Sequence, residues 1–195
     1  MIDISKLSKQ YDVRALDDSD TDMILDVYKE NDLFFQYCEA EPTRQQVIED
    51  MHITPPGKDL ASKYFIGFYQ DTELVAVLDL IDGYPEPEIA YIGMFMMNIR
   101  RQGKQIGSAI ISEVERYLKE TGRKAVRLAI NKGNPQSTHF WKKNGYIVFR
   151  EVNKDGWGIL LEAEKVLSCC SGRSLKIDGY HAKKYTDQNV FLRET

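Results

Sequence analysis

The sequence has little cysteine, histidine or tryptophan and no long hydrophobic run. Its 195 residues include three cysteines, three histidines and two tryptophans. Cys38, Cys169 and Cys170 do not have the spacing of metal ligands and cannot all pair within the chain, so we expect no metal site and a reducing compartment. The apolar runs are much shorter than the about 18 residues of a membrane-spanning helix, and the N-terminus lacks the hydrophobic region of a signal peptide. We therefore expect a soluble cytoplasmic protein without a membrane partner.

An excess of positive charge is also absent. The net charge is −4, so we expect no nucleic-acid partner. The hydrophobic share of 43% and the aromatic share of 11% argue against disorder and predict one domain with a substantial core, over residues 1–166. Residues 167–195 form a C-terminal extension of unknown role without helical periodicity. An extra strand, a dimer arm and a disordered end are all open for it, so a homodimer stays an open expectation.

Hydrophobic patterns predict alternating strands and helices. Short apolar runs predict strands at 11–16, 63–70, 73–81, 90–97, 125–130, 146–152 and 157–166. Apolar spacings of three and four residues, with capping residues and terminal glycines, predict helices at 20–30, 43–52, 106–121 and 135–144. This order predicts an α/β fold with helices on both faces of a central sheet.

A glycine loop with positive charge joins the strand at 90–97 to the helix that follows it. Gly103 and Gly107 lack side chains, so the backbone N–H groups from Gln102 to Ser108 can close on an anion at the positive end of the helix dipole. Three cations lie nearby, namely Arg100, Arg101 and Lys104. The spacing excludes the dinucleotide-binding and P-loop motifs. An ordinary turn with a solvated basic edge remains the alternative to a phosphate site.

The segment QGKQIGSAI at 102–110 resembles motif A of the GNAT superfamily of acyl-CoA-dependent N-acetyltransferases. Gln102 and Gly107 match the first and last positions of the motif, whereas Gln105 stands where the family has a glycine. The resemblance continues in AVRLAI at 125–130, in Asn134 and in FWKKNGY at 140–146. It implies the GNAT fold, in which a mixed, mostly antiparallel central sheet is flanked by helices on both faces.

The resemblance implies acetyl-CoA as cosubstrate and names the residues that hold it. Backbone groups of Phe95 and Met97 would pair with the pantetheine arm. Asn134 would hydrogen-bond the same arm, although it also fits a plain helix N-cap. The pyrophosphate would bind the amides of a continuous stretch, with extra charge from its lysine: Gln102, Gly103, Lys104, Gln105, Ile106, Gly107 and Ser108.

The resemblance leaves the proton-transfer residues open. Many family members have a tyrosine as general acid where this chain has Trp141, and an indole N–H does not donate a proton usefully. For the general base, Asp79 interrupts an apolar strand and is our first candidate, because an acid in such a run needs a partner or a cavity. Asp82 and then Glu88 follow. The alternative is that these acids have no catalytic role.

The implied acceptor is a primary amine of a small molecule or a peptide. Phe35, Tyr37 and Tyr84 are the candidate acceptor-binding residues, because aromatic rings beside acidic residues suit a cationic amine. Packing of the aromatic segment on the sheet is the competing interpretation. Two other functions remain open, a catalytically silent acyl-CoA-binding regulatory domain and an interaction domain without a cofactor.

Overall fold

The computed structural model describes residues 1–38, 40–154 and 157–167. Its seven strands form one sheet in the order β1-β2-β3-β4-β5-β7-β6. All neighbouring strands are antiparallel except β4 and β5, which are parallel. The strands are β1 Asp12–Ala15, β2 Lys63–Gln70, β3 Glu73–Asp82, β4 Ile89–Met97, β5 Ala125–Asn131, β6 Ile147–Lys154 and β7 Gly158–Val166.

Five α-helices lie in the described part of the chain. They are α1 Thr21–Lys29, α2 Asp32–Phe35, α3 Arg44–His52, α4 Ile106–Glu120 and α5 Pro135–Lys143. Thr43 caps α3 by accepting a hydrogen bond from the Gln46 N–H at 3.1 Å. Asn134 caps α5 by accepting one from the Ser137 N–H at 2.9 Å. None of the helices within the described residues is long and apolar enough to cross a membrane.

The sheet buries an apolar cluster on each face. On one face, α4 and α5 contribute Ile110, Val114, Leu118 and Trp141 to the larger cluster. On the other face, α1 and α3 contribute Ile24, Tyr28, Val47 and Met51 to the smaller one. The amphipathic helices thus cover both faces of the sheet, as the order of elements and the resemblance to the GNAT fold predict.

The sheet opens between β4 and β5. These strands pair only from Ile89 with Ala125 to Ile92 with Leu128, although both continue further. On the other side of β4 the register with β3 shifts, because Asp79 pairs with Met94 and Leu80 pairs with Ile92. Gly93 is the extra residue of this β-bulge, which bends β4 away from β5. A cleft results beyond Ile92.

The predicted α/β fold with a mostly antiparallel sheet is confirmed. The short helix α2 was not predicted, since four residues are too few to show a periodicity. Leu167 still belongs to the folded part, because its N–H donates to the Lys124 carbonyl at 2.7 Å. The rest of the predicted extension, residues 168–195, lies outside the described residues.

Candidate active site

The cleft between β4 and β5 encloses a cavity of about 400 Å³. Its walls come from the end of β4, the glycine loop, the start of α4, the end of α2 and one side of α5. The lining residues that matter below are Asn31, Phe34, Gly93, Phe95, Met97, Gln102, Gly103, Gln105, Gly107, Ser108, Asn134, Gln136, Phe140 and Trp141.

The backbone of Phe95 and Met97 faces this cleft. The Asn98 N–H donates to the Val75 carbonyl on β3 at 2.9 Å. Since peptide groups alternate in direction along a strand, those of Met97 and Phe95 face the opposite side, where β5 has diverged. The Met97 carbonyl accepts a hydrogen bond from Asn31 Nδ2 at 3.0 Å. The cleft therefore presents an open strand edge to an extended ligand.

The glycine loop reaches α4 through two left-handed residues. Gly103 has φ +73° and Gln105 has φ +62°. Gln105 thus adopts the backbone conformation that glycine takes readily, and its side chain lies on the surface. This explains how glutamine occupies a position where the family motif has glycine.

Gly107 has a different role, since its φ is not positive. A Cβ here would lie 3.3 Å from the Phe140 ring and 3.4 Å from Met97 Sδ and from the Phe95 ring. The missing side chain lets the first turn of α4 approach β4 and α5 closely. The N-terminal amides of α4 therefore lie at the wall of the cleft, where an anion is favoured.

Lys104, which was predicted to add positive charge at the pyrophosphate site, does not line the cavity. Lys104 Nζ donates to the Arg100 carbonyl at 3.1 Å. Arg101 does line the cavity, but its guanidinium pairs with Glu73 and donates to Gln70 Oε1 at 3.1 Å. Ile106 also lies outside the lining.

A chain of side-chain amides crosses one end of the cleft and was not predicted. Asn31 is buried and donates to the Val27 carbonyl at 2.7 Å as well as to Met97. Gln102 Nε2 donates to Asn31 Oδ1 at 2.8 Å, and Gln136 Nε2 donates to Gln102 Oε1 at 3.0 Å. These bonds join α1, the glycine loop and α5, and only the three-dimensional structure brings them together.

Aromatic rings form the α5 wall. Trp141 is 6% exposed and packs edge-on against Phe140 and Tyr146, at centroid distances of 4.9 Å for both pairs. The Trp141 ring belongs to the apolar core and also forms part of the cavity wall. Asn134 is also buried at the cavity, so its observed N-cap bond leaves its predicted contact with the cosubstrate compatible with the structure.

Asp79 lies beside the bulge, on the face of the sheet that α1 and α3 cover. Its Oδ1 is 2.7 Å from Lys63 Nζ, and the two side chains are 8% and 1% exposed. Burial raises the pKa of Asp79 to about 6, although the Lys63 ammonium lowers it. The sequence predicted that this acid needs a partner or a cavity, and it has the partner.

The structure does not bring the other two candidate bases to the cleft. Asp82 pairs with Ala90, at the opposite end of β3 from the glycine loop. Its carboxylate accepts two hydrogen bonds from Arg123, at 2.5 and 2.6 Å. Glu88 pairs with Lys124 on the surface at 2.6 Å. Both acids thus pair with the segment between α4 and β5, and, like Asp79, they are not among the residues that line the cavity.

The candidate acceptor-binding aromatics are also divided. Phe35 packs on Tyr28 at a centroid distance of 5.4 Å, as the packing interpretation holds, whereas its neighbour Phe34 lines the cavity. The Tyr37 ring contacts the loop after β5 and would lie 3.4 Å from a Cβ on Gly133. Tyr84 packs against Tyr91 away from the cavity. Of these aromatic residues, only Phe34 in α2 thus lines the cleft.

The structure is thus an α/β domain whose central sheet opens beside a glycine loop at the N-terminus of a helix. The family model of the acetyltransferase (GNAT) family matches residues 24–146, more than half of the chain. The chain belongs to this family, and it is an acetyltransferase with acetyl-CoA as cosubstrate. The resemblance of its sequence to the GNAT superfamily is therefore confirmed.

Solved structures share the fold at low sequence identity. An acetyltransferase from Thermus thermophilus is 21% identical with a TM-score of 0.62, covering 80% of this chain and 97% of its own. PaiA N-acetyltransferase from Thermoplasma acidophilum, solved in complex with coenzyme A, is 18% identical with a TM-score of 0.55, covering 77% and 96%. A chimera of spermidine N-acetyltransferase from Vibrio cholerae and hSSAT is 16% identical with a TM-score of 0.61, covering 82% and 96%. No curated protein sequence matches the chain.

Proposed function

We propose that this acetyltransferase transfers the acetyl group of acetyl-CoA to a primary amine of a small molecule or a peptide. The observation that carries the proposal is one buried carboxylate, Asp79, which lies directly behind Gly93: a Cβ on this glycine would meet the carboxylate, and Gly93, unlike Asp79, lines the cavity. An anion-binding loop and a general base would then lie at the two ends of one cleft. Direct transfer needs this arrangement, because both reactants must be held together.

The glycine-loop end suits the cosubstrate. Amides from Gln102 to Ser108 would hold the pyrophosphate, and the cleft-facing backbone of Phe95 and Met97 would pair with the pantetheine arm. Asn134 would add a side-chain hydrogen bond to the same arm. Because Met97 already accepts from Asn31, its N–H is the group that we assign to the cosubstrate.

The bulge end suits the chemistry. Asp79 would take a proton from the acceptor ammonium, directly or through one water, and the free amine would attack the thioester carbon. A C–N bond forms and the C–S bond breaks. The nitrogen gives its second proton to solvent, and the sulfur leaves as a thiolate that solvent can protonate, since a thiol of this kind has a pKa of about 8.5. Trp141 supplies packing, because its indole does not act as an acid.

The acceptor would enter beside α2. Phe34 lines the cavity, so its ring would border the approach of the acceptor, whereas Tyr37 lies beside Gly133 outside the cavity lining. An amine cation is attracted to such ring faces. Structural neighbours include a spermidine acetyltransferase chimera and the RimL ribosomal L7/L12 α-N-protein acetyltransferase, so both small amines and peptide N-termini belong in the acceptor screen.

The test has two stages with separate outcomes. Thermal unfolding with and without acetyl-CoA measures binding, because a ligand at 100 times its Kd stabilises the fold by about 2.7 kcal/mol. Thiol release from acetyl-CoA then measures turnover against polyamines, amino acids and short peptides. Binding with amine-dependent thiol release supports the proposal. Binding without turnover on any amine contradicts it and favours a silent acyl-CoA-binding domain.

A further inference from the structure

Lys63 and Asp79 form an ion pair that is removed from solvent. Among the ion pairs between described residues, it alone has both side chains less than 10% exposed. The register places Phe65 opposite Asp79, so Lys63 is the diagonal neighbour two residues along β2 on the same face. A buried ion pair is a weak source of stability, and apolar residues of similar volume often replace one without loss. The pair therefore calls for a role other than stability.

Other charged and titratable groups face the pair from three more elements. Asp50 on α3 accepts hydrogen bonds from Tyr28 Oη at 2.9 Å and from Gln46 Nε2 at 2.6 Å. The Asp50 carboxylate raises the pKa of Asp79. Burial is the main cause that raises the pKa of Tyr28 on α1 and of Tyr91 on β4, and the Asp79 carboxylate adds to both shifts. The Lys63 ammonium lowers the pKa of Asp79 and so opposes the upward shifts that burial and the Asp50 carboxylate cause.

Gly93 leaves room for the Asp79 carboxylate, whose side chain is 8% exposed and lies behind this glycine, outside the cavity lining. A Cβ at position 93 would lie 3.0 Å from Asp79 Cγ and closer still to Oδ2, so a side chain cannot be added without displacing the carboxylate. The backbone does not require glycine here, because φ at Gly93 is outside the left-handed region. Gly93 is itself exposed and lines the cavity. Space for the carboxylate, not chain conformation, is what the glycine provides.

We propose that Lys63 is a positioning residue, which holds Oδ1 of Asp79 so that Oδ2 is presented over Gly93 to the acceptor amine. This inference rests on the proposed function, because it assigns the geometry behind the proposed base. The acceptor ammonium passes one proton to Oδ2 before the free amine attacks, and the Lys63 ammonium keeps its own proton throughout. Gly93 is then the opening through which the acceptor, or one water, reaches the carboxylate.

The first arm of the test is a titration of the Asp79 carboxyl carbon by NMR in the full chain. In Lys63→Met the pKa of Asp79 should rise by more than about one unit, because a nearby opposite charge lowers the pKa of a carboxyl by that much or more. Lys132→Met is the matched control, since it removes the same charge from an exposed pair with Glu151. An unchanged Asp79 pKa in Lys63→Met would overturn the positioning role.

The second arm measures access to Oδ2 and does not depend on the fold of the lysine variant. A water-soluble carbodiimide with ethanolamine converts accessible carboxyl groups to amides, which peptide mass spectrometry locates. Asp79 should be labelled in the native chain and lose the label in Gly93→Ala, while the exposed Asp59 keeps its label in both. Equal labelling of Asp79 in the two proteins would refute the opening at Gly93.

Neither arm uses turnover, so the two proposals fail separately. If Asp79 responds as expected in both arms and no amine is acetylated, the proposed function is wrong while the geometry holds. If amines are acetylated and Asp79 responds in neither arm, the positioning role is wrong while the enzyme assignment stands.

Discussion

The two ends of the cleft are built from the chain in different ways. At the glycine-loop end, one continuous segment from Phe95 to Ser108 contributes mostly backbone amides, which its glycines leave uncovered. At the bulge end, Gly93 lines the cavity, and the charged side chains behind it come from separate elements, with Lys63 on β2, Asp79 on β3 and Asp50 on α3. The first end depends on local conformation. The second depends on the register of the sheet and on how the helices cover it.

This difference predicts that substitutions at the two ends have separable effects. Changes at the bulge end should reduce turnover and leave binding of CoA intact, because the carboxylate acts on the acceptor. Changes at the glycine-loop end should weaken binding of CoA first. A variant that reduces turnover and the affinity for CoA equally would show that the two ends do not act separately.

The largest expected effect is on turnover in Asp79→Asn. We expect thiol release to fall by about 100-fold or more, as is usual when a general base is removed. The Kd for CoA, measured by calorimetry, should stay near the native value. Asp82→Asn is the control, since it breaks an ion pair with Arg123 that lies outside the cleft. Similar turnover in the two variants would remove Asp79 from the mechanism.

A pH dependence follows from the same carboxylate. Because burial raises its pKa to about 6 from an ordinary 3.8, Asp79 is protonated below this pH and cannot accept a proton. The value of kcat/KM should therefore fall about tenfold per pH unit below about 6. A pH profile that is flat from 5 to 7 would contradict this assignment.

The same pKa shift predicts how stability changes with pH. The folded state binds the Asp79 proton more tightly than the unfolded chain does, so the free energy of unfolding decreases as the pH rises from about 4 to about 6. Above this window the contribution of Asp79 is constant. Urea unfolding at several pH values checks the slope, and Asp79→Asn should lack this contribution.

At the glycine-loop end, Gly107→Val should weaken binding of CoA by about tenfold or more, since overpacking of a dense site costs about 1–3 kcal/mol. The added methyl groups meet Phe140, Met97 and Phe95 and push the first turn of α4 away from β4. Ser112→Val, on the exposed face of the same helix, introduces the same β-branched residue without a clash. If both variants bind CoA equally well, close packing of α4 is not required.

The smallest expected effect is a gain in stability. Gln105→Gly removes a left-handed residue that bears a side chain, which costs about 1–2 kcal/mol, partly offset by the flexibility of glycine. We expect the melting temperature to rise by about 2–4 °C for a net gain near 1 kcal/mol. Gly103→Ala should have the opposite effect, because its φ is +73° and its surroundings are open.

The sequence predicted the glycine-loop end better than the bulge end for a physical reason. Helix α4 and its loop show a local period, charges and glycines, so their pattern is visible along the chain. Lys63 looks like the exposed start of a strand, and only the register with β3 places it on Asp79. Gly93 is one small residue in an apolar strand, and nothing local indicates a bulge. Asp82 and Glu88 were candidates because they lie near the turn that the resemblance places beside the acceptor site, and the sequence alone does not show that they pair with Arg123 and Lys124.

The short seam between β4 and β5 has a consequence for the lifetime of the protein. Four residue pairs join the two parts of the sheet, and the strand edge beyond them lacks a neighbouring strand. Acetyl-CoA bound along that edge, as proposed, would hold the two parts together and, at 100 times its Kd, would lower the unfolded fraction about 100-fold. Proteases that act on unfolded chains would then remove the enzyme more slowly when its cosubstrate is plentiful. The open seam would thus link the amount of enzyme to the supply of the acetyl donor.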